Sequence, residues 1–176
     1  MCRATIVCGP TGAGKTTHSI VLCDETNAIR FSIDPWMQTL FAKDMGTLDF
    51  AWMMERVERC QDQIWSVGEQ VLARGGNVVL DLGFTTRAQR RVFVERATLA
   101  GVPADIHYLD APSEVRRRRV ASRNAQKDPR VYAFDVTDPM FAFMEPRFEV
   151  PDESELADGK LVAIADDGTP AGPSAA

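Results

Sequence analysis

Apolar residues along this chain come in short unbroken runs rather than in strict alternation with polar ones. Thr5–Cys8, Ile29–Ile33, Asn77–Asp81, Asp105–Leu109 and Leu161–Ala165 are rich in Val, Ile and Leu. That is the pattern of strands covered on both faces. Longer stretches of helical character lie between them, over 14–26, 49–74, 86–100 and 113–125. Gly75-Gly76 and Gly101-Val102-Pro103 read as helix stops. Thr137-Asp138-Pro139 opens a short helix over 139–144 with the proline in its first turn. No internal repeat interrupts the alternation of strand and helix, which predicts an α/β fold on a parallel sheet. The Gly, Pro, Ser and Ala of 166–176 predict a disordered tail, so the folded unit is expected to span 1–165.

Composition narrows the function classes. The 176 residues are 45% hydrophobic and 26% charged, enough for one domain with a real core. A net charge of −5 argues against broad attraction to nucleic acid or to an anionic membrane surface. Four cysteines without a C-x-x-C pair and only two histidines argue against a zinc site. Cys8 reads as a small buried hydrophobe. His18, in the first helix, and His107, in a strand, read as structural. No basic leader precedes a long apolar stretch, and no segment approaches the ~20 apolar residues of a membrane helix. A reduced, cytoplasmic protein is expected.

Candidate chemistry begins at residues 9 to 16, GPTGAGKT. Gly9-x-x-x-x-Gly14-Lys15-Thr16 follows the first strand and opens the first helix, the context a phosphate-binding loop requires. Glycines let successive backbone N–H groups turn inward toward phosphate oxygens, and the helix N-terminus adds partial positive charge. Gly9, Thr11, Gly12, Ala13, Gly14, Lys15, Thr16 and Thr17 are therefore candidate nucleotide contacts. Lys15 would bridge the β- and γ-phosphates and the Thr16 hydroxyl would ligate Mg²⁺.

Three further stretches admit a structural and a chemical reading. In FSIDPWM, Asp34 followed by Pro35 makes a good helix cap. It also ends the second strand, where open parallel sheets bind ligands and a carboxylate can take a hydroxyl proton. Trp36 beside it could line an acceptor pocket, whereas Trp52, Trp65, Phe41 and Phe50 read as core. In NVVLDLGF, Asp81 either organises the turn before Thr85 and Thr86 or holds Mg²⁺. In SEVRRRRVASRN, Ser113 can cap a helix. Arg116, Arg119 and Arg123 share its face, as a solvated basic stripe or as a phosphoryl clamp. Arg87 or Arg90 could meet an anionic or polar acceptor, although each of Arg87, Arg90 and Arg91 taken singly reads first as solvent-facing.

Taken together these segments resemble the small phosphate-loop (P-loop) kinases, a group including polynucleotide 5′-hydroxyl kinase domains, chloramphenicol phosphotransferase, gluconate kinase and zeta-toxin-like proteins. The nearest resemblance is to the bacterial AAA-domain ATP-binding family of zeta-toxin type. It runs from Thr5 to about Ile164 through FSIDPWMQTLF, VVLDLGFTTRAQR, HYLDAPSEVRRRRVASRN and RFEVPDESE. It implies a three-layer α/β/α P-loop NTPase sandwich with a parallel five-stranded sheet and a short helical lid, over about 119–137. It also implies ATP and Mg²⁺ as cofactors, Lys15, Asp34, Arg119 and Arg123 as catalytic residues, and Thr16 and Asp81 at the metal. Asp34, Trp36 and Arg87 would face a hydroxyl-bearing acceptor. Polynucleotide kinases carry an arginine shortly after the base, but Pro35-Trp36-Met37-Gln38 follow Asp34 here. A small-molecule acceptor is therefore expected ahead of a nucleic acid. A nucleotide-dependent switch without an acceptor is the reading from another class.

Overall fold

The computed structural model describes residues 2–44, 49–157 and 159–163. Five strands, β1 (Ala4–Cys8), β2 (Ala28–Ser32), β3 (Asn77–Asp81), β4 (Ala104–Asp110) and β5 (Lys160–Ala163), form one sheet in the order β2-β3-β1-β4-β5. Every neighbouring pair is parallel. Residues 164–165 of the expected last strand, and the expected tail over 166–176, lie outside the described residues.

The connections are helical: α1 (Lys15–Thr26), α2 (Ile33–Phe41), α3 (Phe50–Leu72), α4 (Arg87–Leu99), α5 (Ser113–Gln126) and α6 (Asp138–Met144). A parallel sheet buries both faces, and the core divides accordingly. One face packs Ile6, Cys8, Phe31, Leu80, Ile106 and Tyr108 against Ile64 and Trp65 of α3 and Phe93 and Ala97 of α4. The other sets Val7, Val79, Leu109 and Val162 against Leu22 and Cys23 of α1. This is the expected three-layer sandwich.

The predicted helix stops work as glycine C-caps. Gly75 and Gly101 adopt left-handed φ values of 81° and 71°. The N–H groups that follow them, on Gly76 and Val102, reach back to Val71 O and Ala97 O at 3.0 Å. Thr137 caps α6 by accepting from Met140 N–H, with Pro139 in the first turn. Two expected caps differ. Strand β2 ends at Ser32, and Ser32, not Asp34, is the N-cap residue of α2. Asp34 is thus already in the first helical turn. Ser113 is the first residue of α5 rather than its cap, because Pro112 holds the boundary position in extended geometry.

A charged strap closes one side. Residues 148–156 return over α4, where Arg90, 0% exposed, donates Nε and Nη2 to the two carboxylate oxygens of Glu155 at 2.7 and 3.0 Å. Arg90 Nη1 donates to Glu149 O at 2.9 Å, and Phe148 stacks on Tyr108 with ring centroids 5.8 Å apart. Burial works against the Glu155 charge, yet the Arg90 and Arg87 guanidiniums hold its carboxyl below the usual range.

His18 and His107 also meet inside the fold, with Nε2 and Nδ1 2.9 Å apart between α1 and β4. Burial lowers both pKa values, His107 to about 4, helped there by His18, Lys160 and Arg3. An unfolded histidine binds its proton near pH 6.5, so the unfolded chain holds more protons between the two values. Stability is full above about pH 6.5 and falls as pH drops toward 4, by about 2 kcal/mol from His107 alone at pH 5. Urea midpoints at pH 7.5 and pH 5 should differ more for the wild-type protein than for His107→Gln; equal differences would remove the pair as an acid-sensitive element.

Candidate active site at the carboxyl edge of the sheet

The loop after β1 is shaped by close approach. Gly12 has φ 80° and packs against α5, so that a Cβ there would lie 2.7 Å from Arg116 O and 3.0 Å from Val120. Gly14 has φ 95° and is the N-cap position of α1, with no side-chain cap. The helix ladder starts with His18 N–H on Gly14 O at 3.0 Å. The N–H groups of Lys15, Thr16 and Thr17 therefore point out of the helix end, as a first turn leaves them. Unpaired donors at a positive helix end beside a glycine-shaped loop suit polyphosphate.

Lys15 Nζ donates to Gly9 O at 2.8 Å and to Pro10 O at 3.0 Å, so the side chain folds back over its own loop. Burial pushes its pKa down, while the Asp81 and Asp34 carboxylates push it back up. Thr16 Oγ1 donates to Asp81 Oδ2 at 3.3 Å. Asp81 is 5% exposed, and the same oxygen accepts Arg30 Nη2 at 2.8 Å. With its proton on Asp81, the Thr16 hydroxyl keeps its lone pairs for a cation. A hydroxyl and a carboxylate beside a nest that would hold phosphate oxygens make up the kind of oxygen-rich surroundings Mg²⁺ takes. The residues present fit both Mg²⁺ and a nucleotide polyphosphate.

Asp34 reaches the same edge because Ser32 pairs with Asp81 in register and α2 starts directly after it. The surrounding protein and the like charge of Asp81 raise its pKa, while Lys15, Arg123 and Arg30 draw it down. The residue as a whole remains exposed. Charged neighbours act on it from the protein side while its own surface stays open to water, and water there damps the shift.

The arginines of α5 divide. Arg116 is not part of a clamp: it is buried, donates Nε to Ala111 O at 2.9 Å and Nη1 to Thr11 O at 3.2 Å, and forks onto Glu145. It ties the loop to α5. One turn on, Arg119 Nη1 donates to Ala13 O at 3.2 Å and lies beside Gly14. Arg123 is close enough to act on both Lys15 and Asp34, and its buried Nε has no hydrogen-bond partner. Beyond it, Asn124 exchanges hydrogen bonds with Val136, and Val120, Val136 and Phe141 form a small separate core under the expected lid.

The remaining candidates lie elsewhere. Arg87 is held away from this group by Asp152 and Glu155, and Arg90 serves the strap. Trp36 is half-buried against the main core. Phe50, expected in the core, is 44% exposed because it starts α3 and meets Phe143 of α6 edge-on at 5.5 Å. Thr17 is exposed on the first turn of α1. Sequence reasoning missed Arg30; the available signal was a guanidinium in the middle of an otherwise apolar strand.

Similarity to known proteins agrees with this geometry. A family model described as "AAA domain" matches residues 5–151. No curated protein matches the chain by sequence. Among solved structures, Kti12 of Chaetomium thermophilum in complex with ADP-AlF3 is 16% identical over 91% of this chain and 88% of that one, with a TM-score of 0.69. The Mycobacterium tuberculosis APS kinase CysC, in complex with AMPPNP and APS, is 16% identical over 94% and 91%, with a TM-score of 0.60. A gluconokinase of Sinorhizobium meliloti 1021 is 17% identical over 92% and 82%, with a TM-score of 0.57. At these identities the likeness is one of fold.

Proposed function

This chain belongs to the AAA domain family of P-loop kinases, and on that premise we propose that it is an ATP-dependent phosphotransferase that moves the γ-phosphoryl group to a hydroxyl of a small-molecule acceptor. The observation that carries the reading is the convergence of Lys15, Thr16, Asp81, Asp34 and Arg123 on one edge of the sheet. A hydrolytic switch needs the first three. A solvent-facing carboxylate at the same edge suits an enzyme that must also orient an alcohol.

Bound ATP and Mg²⁺ would supply the transferable group and neutralise its charge. The chain's own residues do the rest. The N–H groups of Lys15, Thr16 and Thr17 hold phosphate oxygens at the helix end. Thr16, with its proton on Asp81, offers oxygen to the metal. Asp34 orients the acceptor hydroxyl and accepts its proton at a carboxylate oxygen. Lys15, released from the Gly9 and Pro10 carbonyls, would join Arg119 and Arg123 in placing positive charge around the transferring group, where it acts on charge that develops in the transition state. The segment from Arg119 to Thr137, with α6 beyond it, would act as the lid that covers the bound nucleotide and excludes water.

Asp34→Asn keeps the side chain's shape and removes only its charge near Lys15, so it should leave Mg-ATP affinity within about tenfold while lowering transfer by about 10²- to 10⁴-fold. Calorimetry measures the first quantity. A screen of sugars, nucleosides, antibiotics and 5′-hydroxyl oligonucleotides for an ATP-dependent gain of about 80 Da finds the acceptor for the second. Unchanged transfer in Asp34→Asn would remove the base assignment. Partner-stimulated hydrolysis with no phosphorylated product would favour the switch, and a labelled oligonucleotide the polynucleotide kinase.

A further inference from the structure

Arg30 is a charged residue that neither the loop motif nor the proposed reaction uses. It is the third residue of β2, paired in register with Val79, and it lies close to Cys23 on the α1 face of the sheet. From there its side chain reaches the carboxyl edge and donates Nη2 to Asp81 Oδ2 at 2.8 Å, the oxygen that also accepts the Thr16 hydroxyl.

The pairing is incomplete in a specific way. Arg90 and Glu155 show what this fold does with a purely structural ion pair: two parallel hydrogen bonds, with the guanidinium fully enclosed. Arg30 places one nitrogen on one oxygen, its Nε is buried with no hydrogen-bond partner, and its side chain stays 21% exposed. A guanidinium so held neutralises Asp81 without enclosing it. It also puts a positive charge within hydrogen-bond distance of the oxygen that neighbours the Thr16 metal position. Like charges in a partly buried site repel strongly, so this cation opposes any divalent ion arriving there alone. Polyphosphate on the loop would offset that repulsion.

We propose that Arg30 is the resident counter-cation of Asp81, a positioning residue that holds the carboxylate against Thr16 and weakens metal binding there, so that the divalent ion enters together with the nucleotide. The inference rests on reading Thr16 and Asp81 as the metal residues.

Mn²⁺ binding followed by electron paramagnetic resonance, with and without ADP, tests it without a turnover assay. In nucleotide-free protein, Arg30→Gln should bind Mn²⁺ about tenfold more tightly than wild type, whereas Arg30→Lys, which keeps the charge, should stay within about twofold. Should Arg30→Gln prove unfolded without metal, millimolar Mn²⁺ should refold it, because the ion then meets the charge of Asp81. Equal Mn²⁺ affinity in wild type and Arg30→Gln, weaker affinity in the variant, or no refolding by Mn²⁺ would overturn the inference while leaving Mn-ADP binding by the wild type intact. Wild-type protein that binds no Mn²⁺ even with ADP would instead remove Thr16 and Asp81 as the metal residues, and the inference with them.

Discussion

Replacing Lys15 by methionine should lower ATP turnover by at least about a thousandfold while leaving the fold intact. Methionine preserves the stem length and the packing of the side chain against the loop. It removes two hydrogen bonds, to Gly9 O and Pro10 O, and the positive charge beside Asp81 and Asp34. Gly9 is buried and Pro10 half-buried, so the carbonyls left without this donor should cost about 1–3 kcal/mol, which the fold can absorb. The kinetic effect is larger because a fixed ammonium in a partly buried cleft acts on charge that develops on the transferring group. Steady-state hydrolysis and circular dichroism on the same preparation separate the two. Turnover within tenfold of wild type would mean that the loop lysine does not contact the reacting phosphate.

Arg90→Met should be the most destabilising single change, at about 3–5 kcal/mol, or roughly a 10 °C fall in melting temperature. Arg90 makes three hydrogen bonds inside the protein, and its removal leaves the largely buried Glu155 carboxylate with the half-exposed Arg87 as its remaining guanidinium and takes the donor from the Glu149 carbonyl. The charge, not the missing volume, accounts for most of that cost. The double change Arg90→Met with Glu155→Leu should therefore recover much of the loss. Thermal melts of the two singles and the double give the coupling. A double variant as unstable as the sum of the singles would assign the effect to packing against Phe148 instead.

The strands and the phosphate loop were legible because their signals are local. Unbroken Val, Ile and Leu runs fix two-sided burial, and a glycine pattern between strand and helix fixes the nest. Asp34 and Asp81 were legible as strand-end carboxylates, although the cap was assigned two residues late, since Ser32 and Asp34 are both good cap residues and only register decides between them. What the sequence could not separate was the use of identical side chains. Arg116, Arg119 and Arg123 share one face by spacing, yet one became an enclosed strut because Glu145 and two loop carbonyls surround it. Arg87 and Arg90 looked available to an acceptor until the distant acids Asp152 and Glu155 claimed them. Arg30 carried no motif, and its meaning depends on a neighbour 51 positions away. Pairings of that range are set by tertiary structure and leave no local trace.

The contact between Gly12 and α5 has a consequence for how such proteins diversify. The loop leaves no room for a methyl group against the Arg116 carbonyl, and the Arg116 side chain grips the Thr11 carbonyl in return. Loop and helix are therefore one inherited module. A chimera that borrows an acceptor-covering helix from a relative must import the matching loop as well, or the seam between them will not close. New acceptor specificities are more readily grafted onto α2, which starts at the same edge of the sheet without that shared joint.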